Sequence, residues 1–275
     1  MTILIFSALL LVFAFLAGIL GALTGLGGGV VIIPVLVLLF HVNIHLAMGA
    51  SLISVIATSS GTASAYLREG YTNLRIGMFL ETTAVIGAFI GALLIAVLSK
   101  TFLTILFSFL LFFSAYLTIK RREEHEQYQD SHPWAIALKL DGNYPLKDRL
   151  ESYRVQNVPL ALFIMGIAGL IAGLLGVGSG TLKVLAMDQA LRLPYKVATT
   201  TSNFMIGITA AVSAGIYFSH GYIDPKITFP VMIGVIIGSF TGAKILPKIH
   251  TRLLRIIFSI VICLIGLQML YNALF

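Results

Sequence analysis

Long apolar runs alternate with short polar breaks along almost the whole chain. The runs cover about 2 to 24, 46 to 67, 76 to 98, 101 to 119, 158 to 176, 197 to 218, 226 to 246 and 254 to 274. Each is close to the roughly 20 residues that a helix needs to cross a bilayer. None shows the period-2 alternation of a membrane β-barrel, and their Leu, Ile, Ala and Gly content suits helices, which satisfy their own backbone hydrogen bonds in lipid. The pattern predicts an all-α, polytopic membrane protein. The first run is preceded only by Met1 and Thr2, without the basic stretch of a leader, so it reads as a retained helix rather than a cleaved signal peptide.

One polar gap is longer than the others. Residues 120–157 hold KRREEHEQYQD, the single tryptophan Trp134, and the run KLDGNYPLKDRLESYR. This divides the chain into a first transmembrane unit at 1–119, a polar linker at 120–157 and a second transmembrane unit at 158–275. The linker's mixed charges read most simply as an exposed loop, with a short interfacial helix around Trp134 to Leu140 as the alternative.

The two units are copies of one another. A shift of 151 residues brings Gly18 onto Gly169, Gly25 onto Gly176, Gly27 onto Gly178 and Gly29 onto Gly180. Further on it brings Ser51 onto Ser202, Tyr66 onto Tyr217, Gly87 onto Gly238 and Gly91 onto Gly242, with no insertion over about a hundred residues. Each copy also carries a short apolar piece behind its glycine cluster, Val30 to Phe40 and Thr181 to Leu191. At about 1.5 Å of rise per residue such a piece falls short of a hydrocarbon core about 30 Å thick, which predicts a half-helix.

The sign of the repeat follows from where the basic residues fall. With inverted copies and the linker inside, Arg68, Arg75, Lys120 to Arg122, Lys139, Lys147, Arg149, Arg154, Arg192, Lys196, Lys244, Lys248, Arg252 and Arg255 all lie on the cytoplasmic side. Only Lys100 and Lys226 then fall outside. Parallel copies would export Arg192, Lys196 and the cluster from Lys244 to Arg255, against the positive-inside rule. The expected arrangement is therefore two inverted-topology repeats of about five helical segments each, in the inner (plasma) membrane, with both termini outside and the linker cytoplasmic. Inverted repeats with broken helices are characteristic of secondary transporters, whose sites lie near the bilayer midplane between the copies.

Composition narrows the function classes. Charged residues make up 11% of the 275, against about a quarter in a soluble domain. The net charge of +7 resides in short loops beside apolar spans, so it sets topology and does not point to nucleic acid. Cys263 is the single cysteine, which leaves no internal disulfide, thiol pair or Cys-based metal cluster. No HExxH is present, and the histidines at 41, 45, 125, 132, 220 and 250 all read as loop or linker residues. The expectation is a protein that is not an enzyme and has no cofactor or metal; no oligomeric state is specified. An anion channel is the rival reading within the membrane class.

The candidate transport residues gather at the glycine clusters, Gly25, Gly27, Gly28 and Gly29 in one copy and Gly176, Gly178, Ser179 and Gly180 in the other. Glycines between a long helix and a half-helix permit an unwound backbone and close ligand approach, and the half-helix that follows favours an anion. By contrast, Gly87, Gly91, Gly238 and Gly242 have the four-residue spacing of helix packing. Lys183 stands three residues past Gly180, where a cation in an apolar segment needs a cavity or a partner. Its counterpart is Ile32, so the duplication does not explain it, and it is expected to supply positive charge to a small anionic substrate.

Thr181, Ser202 and Asn203, with Ser51, Ser54, Thr58 and Ser59, offer hydroxyl and amide groups either to that anion or to interhelical bonds. Glu81 and Asp188 are the acidic residues within apolar segments, near the cytoplasmic ends of their segments, and are the candidate proton relays.

These residues resemble the sulfite exporter TauE/SafE family over both copies. The resemblance rests on GLGGGVVIIPVL and GVGSGTLKVL at equivalent positions, each followed by a Ser/Thr-rich stretch, GASLISVIATSSG and TTTSNFMIGITAA. It implies movement of a small sulfur-containing anion, such as sulfite, sulfoacetate or another organosulfonate, coupled to the proton gradient. The family's glycine motif falls on Gly25, Gly27, Gly28, Gly29 and Pro34, and on Gly176, Gly178 and Gly180. Ser179 replaces a glycine of the commoner pattern, and Leu185 stands where the first copy has Pro34.

Overall fold

The structure is a computed structural model that describes residues 3–24, 27–68, 70–119, 131–146, 149–245 and 251–274. The first unit holds α1 (Ile3–Thr24), α2 (Gly29–Pro34), α3 (Ile44–Arg68), α4 (Leu74–Leu94) and α5 (Lys100–Ile119). The linker holds α6 (Pro133–Ala137) and a hairpin of β1 (Gly142–Leu146) and β2 (Arg149–Tyr153). The second unit holds α7 (Val158–Leu175), α8 (Gly180–Leu185), α9 (Tyr195–Ser219), α10 (Pro225–Ile245) and α11 (Thr251–Leu274). Among the described residues seven helices are long and apolar enough to cross a membrane: α1, α3, α4, α5, α7, α9 and α10. α11 is 24 residues long.

The predicted half-helices are present, with a feature that the hydrophobic pattern could not reveal. α2 and α8 each continue for five residues as a wider π-helix, Val35–Leu39 and Ala186–Ala190. Pro34 lacks a backbone N–H and is an obvious local cause in the first copy. Leu185 at the equivalent place has its N–H, yet the same widening follows, so proline does not explain it. Single π turns inside helices are frequent at functional sites.

Packing follows the duplication. α1 lies against α10 as α7 lies against α4, α3 contacts α10 as α9 contacts α4, and the equivalent helices pair with each other, α3 with α9 and α5 with α11. The paired glycines make the closest of these approaches. A Cβ on Gly87 would come within 2.8 Å of Leu170 N, and one on Gly242 would meet Ile19 and Ala22 near 3 Å, so these positions are small because helix backbones touch there. Gly169 and Gly173 abut Ala84 and Ala88 in turn, which makes α4 and α7 run parallel. α3 and α9 run antiparallel: Ser59 reaches Asn203, while Gly49, ten residues earlier, abuts Tyr222. Outward faces are apolar in matching places, Met78, Ile86 and Phe89 on α4 and Phe229, Ile237 and Phe240 on α10, as a lipid-facing surface requires.

The described part of the linker, 131–146 and 149–157, is more ordered than an exposed loop, and α6 stands where the alternative reading put a short helix. β1 and β2 pair antiparallel from Gly142 with Tyr153 to Leu146 with Arg149. Asp141 accepts from Ser131 Oγ at 2.7 Å and from the Val155 amide at 2.9 Å. Ala135, Leu140, Tyr153 and Val155 are buried in one apolar cluster with Ile76, Leu80, Val158, Leu193 and Val197. The dense charges concealed these few inward positions, which seal the end of the bundle where α4, α7 and α9 begin. Burial also pushes the Tyr153 phenol above its ordinary pKa. A second departure is His45, which lies in the first turn of α3 and is buried rather than in a loop. His125 and His250 lie outside the described residues.

Candidate functional site

The two glycine turns meet at the crossing of α3 and α9. α7 ends on Gly176 with φ 63°, and in the first copy Gly27 has φ 76°, a left-handed conformation that glycine adopts without steric cost. Beyond them the chain passes closest to Val55 and Ile206, which are equivalent residues of the two copies. A Cβ on Gly27 would lie 3.4 Å from both Val55 and Ile206, and one on Gly178 would lie 2.9 Å from Val55 and 3.0 Å from Ile206. The structure thus brings Gly27, Gly28, Gly29, Gly178, Ser179 and Gly180 to one central region, with two apolar side chains between the turns. Gly25 lies outside the described residues.

The hydroxyls on α3 and α9 are mostly occupied by backbone. Ser51 Oγ donates to the Gly176 carbonyl of the opposite copy at 2.7 Å, and Ser202 Oγ donates to the Gly180 carbonyl at 3.3 Å. Ser59 crosses to the Asn203 carbonyl at 2.6 Å, whereas Ser54 and Thr58 bond within their own helix. Ser51 and Ser202 therefore pin the glycine turns to the central helices. Thr181 Oγ1 lies 3.4 Å from Ser114 Oγ on α5. The side chain of Asn203 and the hydroxyl of Ser179 have no hydrogen-bond partner among the described residues, although Asn203 is 1% and Ser179 3% exposed. Unsatisfied buried polar groups cost about 1–3 kcal/mol each. Ser179 adds backbone strain, with φ 42°, where a residue other than glycine is uncommon.

Lys183 is fully buried and its charge is met by Glu81. Nζ donates to Glu81 Oε2 at 2.9 Å and to Oε1 at 3.2 Å. Thr209 closes the group: its hydroxyl accepts from Lys183 Nζ and donates to Glu81 Oε1. Three elements supply the three side chains, α8 the lysine, α4 the carboxylate and α9 the hydroxyl. Thr209 sits near the middle of the 25-residue α9, so the carboxylate of Glu81 lies deeper than the place of Glu81 near the start of its own segment suggested. All three are at most 3% exposed. Such a pair is costly to bury and more costly to break on one side.

The sequence marked Lys183 and Glu81 separately, and it missed Thr209 and the pairing. A signal was available in the duplication. Ile32 is the counterpart of Lys183 and Met232 that of Glu81, so the repeat breaks at two positions with opposite charge, as a compensating pair would require. Asp188, the other relay candidate, is buried in the π-helical stretch and accepts from Gln189 Nε2 at 3.1 Å; Glu81 is the carboxylate that meets Lys183. Among the described residues no three His, Cys, Asp or Glu side chains cluster as metal ligands.

Comparison with known proteins agrees with this architecture. The signature of the sulfite exporter TauE/SafE family matches residues 10–269. The chain is 28% identical over 276 residues to the "probable membrane transporter protein" YunE of Bacillus subtilis, covering 97% of this chain and 98% of the relative. It is 30% identical over 250 residues to YdhB of the same organism, which has the same description, covering 88% and 92%. A third relative so described, from Methanocaldococcus jannaschii, is 26% identical over 277 residues, covering 95% and 94%. No solved structure matches. The chain therefore belongs to the sulfite exporter TauE/SafE family, and is a multi-pass membrane transporter rather than an enzyme.

Proposed function

We propose that this transporter carries a small sulfur-containing anion, sulfite, sulfoacetate or another organosulfonate, bound between the two glycine turns and held by Lys183, with proton coupling through Glu81. The observation that carries the reading is Lys183 itself. A cation with no exposed surface, just behind a glycine turn on a half-helix, is expensive in a membrane unless it serves a charged ligand or relay. The unpartnered groups of Ser179 and Asn203 supply hydrogen-bonding capacity in the same region. The TauE/SafE description names sulfite, which supports a sulfur oxyanion as cargo.

Inverted repeats are part of this proposal. Equivalent helices that cross antiparallel, as α3 and α9 do at Val55 and Ile206, are related by an axis perpendicular to their length. That axis lies in the membrane plane when the helices span it, and this favours inverted over parallel copies. The linker side carries Arg75, Lys139, Arg149 and Arg154, and Lys196 Nζ sits 5.2 Å from the centre of the Tyr71 ring at the same end. The positive-inside rule then favours a cytoplasmic linker and outer termini. Alternating access by movement of one unit against the other is the mechanism this architecture supports.

The test is uptake of radiolabelled sulfite, sulfoacetate and thiosulfate into proteoliposomes, with and without an imposed pH gradient, for wild type and Lys183→Gln. Gradient-dependent flux of one anion, lost in the variant, is the expected result. Flux that ignores the gradient and appears as conductance would replace the carrier with a channel; intact flux in Lys183→Gln would remove the lysine from the site.

A further inference from the structure

We propose that Glu81 and the transported anion are alternative partners of Lys183, so that binding requires Glu81 to take up a proton and one proton travels with each anion in the same direction. This rests on the anion reading above and specifies its coupling.

The argument is one of hydrogen-bond capacity and charge. A lysine ammonium has three N–H donors, and here they face Glu81 Oε1, Glu81 Oε2 and Thr209 Oγ1. No donor is left for a further oxygen. An anion added beside the ion pair would also leave the buried site with excess negative charge, which a low-dielectric interior opposes strongly. Protonation of Glu81 removes both obstacles. The proton adds to a carboxylate oxygen, the neutral acid releases the ammonium, and the freed N–H groups turn to the anion. Thr209 can follow either partner, because its hydroxyl both donates and accepts. On the far side the anion leaves, Glu81 gives up its proton, and the ion pair re-forms.

For a singly charged sulfonate, two site states avoid an unpaired buried charge: empty with the ion pair intact, or loaded with Glu81 protonated. A protonated site without anion leaves the lysine alone, and an anion without the proton leaves a carboxylate unmatched. Those two disfavoured states are the leaks that a coupled transporter must avoid. The stoichiometry follows from the asymmetry of the copies, since the counterparts of Lys183 and Glu81 are Ile32 and Met232 and offer no second exchange.

Other ionisable groups on the packed elements are engaged away from Glu81. Arg75 on α4 reaches the Lys139 carbonyl, Lys196 on α9 lies over Tyr71, and Tyr195 is at the start of that helix. Tyr217 donates to the Gly173 and Leu174 carbonyls, and Asp188 lies in the π-helical stretch beyond Lys183. α7 has no ionisable side chain.

The experiment is binding of methanesulfonate, an organosulfonate with a single charge, to the detergent-purified full chain by titration calorimetry in two buffers of different ionisation enthalpy, with affinity followed across pH. Its sulfonate is far too weak a base to be protonated at any working pH, so proton uptake reports on the protein. The expected result is one proton taken up per anion bound, with the Kd rising tenfold per pH unit on the alkaline side. Glu81→Gln brings the uptake to zero and makes the Kd independent of pH. Wild-type binding with no proton uptake overturns the proposal, and this arm does not depend on the variant folding; so does uptake of one proton that survives in Glu81→Gln. Absence of methanesulfonate binding together with absence of flux for sulfite, sulfoacetate and thiosulfate would instead sink the anion reading on which the proposal stands.

Discussion

The same corner of the fold occurs twice and is built of opposite materials. Around α8 Lys183 meets Glu81 and Thr209; around α2 the equivalent positions are Ile32, Met232 and Thr58. Ile32 is fully buried in an apolar cluster that Met232 flanks, and Thr58 bonds back to the Ser54 carbonyl of its own helix. The half-helix, its π-helical continuation and its seat on the following helix are alike in both. The fold therefore does not require the charges, because it completes this corner without them once. The ion pair is the addition that makes one half chemically different, and its retention calls for a functional explanation.

The largest effect expected from breaking this contrast comes from Lys183→Ile. It makes the second corner half apolar, leaves Glu81 without its cation and should cost about 3–5 kcal/mol, read as a fall in unfolding temperature in detergent together with loss of transport. Adding Glu81→Met completes the copy of the first corner. The double variant should recover most of that stability, since replacing a whole buried pair by apolar groups is often neutral or favourable, yet remain inactive in proteoliposomes. A double variant no more stable than Lys183→Ile would mean the two corners differ by more than their charges.

Thr209→Val and Thr58→Val compare the hydroxyls directly. Thr209 bridges two charged groups and should lose about 1.5–3 kcal/mol, against about 1 kcal/mol for Thr58 with its single backbone bond; equal losses in the same melting assay would remove the distinction. The smallest effect is at the turns. Ser179→Gly should gain about 1 kcal/mol by relieving a left-handed residue while weakening anion affinity, measured by the same titration. A gain in stability with unchanged affinity would assign Ser179 to the backbone alone.

What could be read beforehand was set by how local each signal is. Eight apolar runs, glycine clusters and a 151-residue repeat are properties of neighbouring or matched residues, and helices, half-helices and packing glycines followed from them. The partnership of Glu81 and Lys183 joins positions 102 apart and depends on how α8 seats on α9 within reach of a side chain from α4, which no periodicity encodes. The linker was misread for a related reason. Its buried residues are few and spaced by charges, and they become a core only against Ile76, Val158 and Val197. The π-helical stretches left no mark, since Pro34 and Leu185 precede them equally.

Asn73 joins three parts of the molecule at one point. Its side-chain oxygen caps α4 through the Ile76 amide, its amide group donates to the Leu140 carbonyl and the Tyr153 hydroxyl, and its backbone N–H donates to Thr201 on α9. Mechanically this is a rivet through α4, α9 and the linker, at the end of the helices that present Glu81 and Thr209. Parting α4 from α9 must shear it, so any movement of those two helices against each other also loads the linker hairpin.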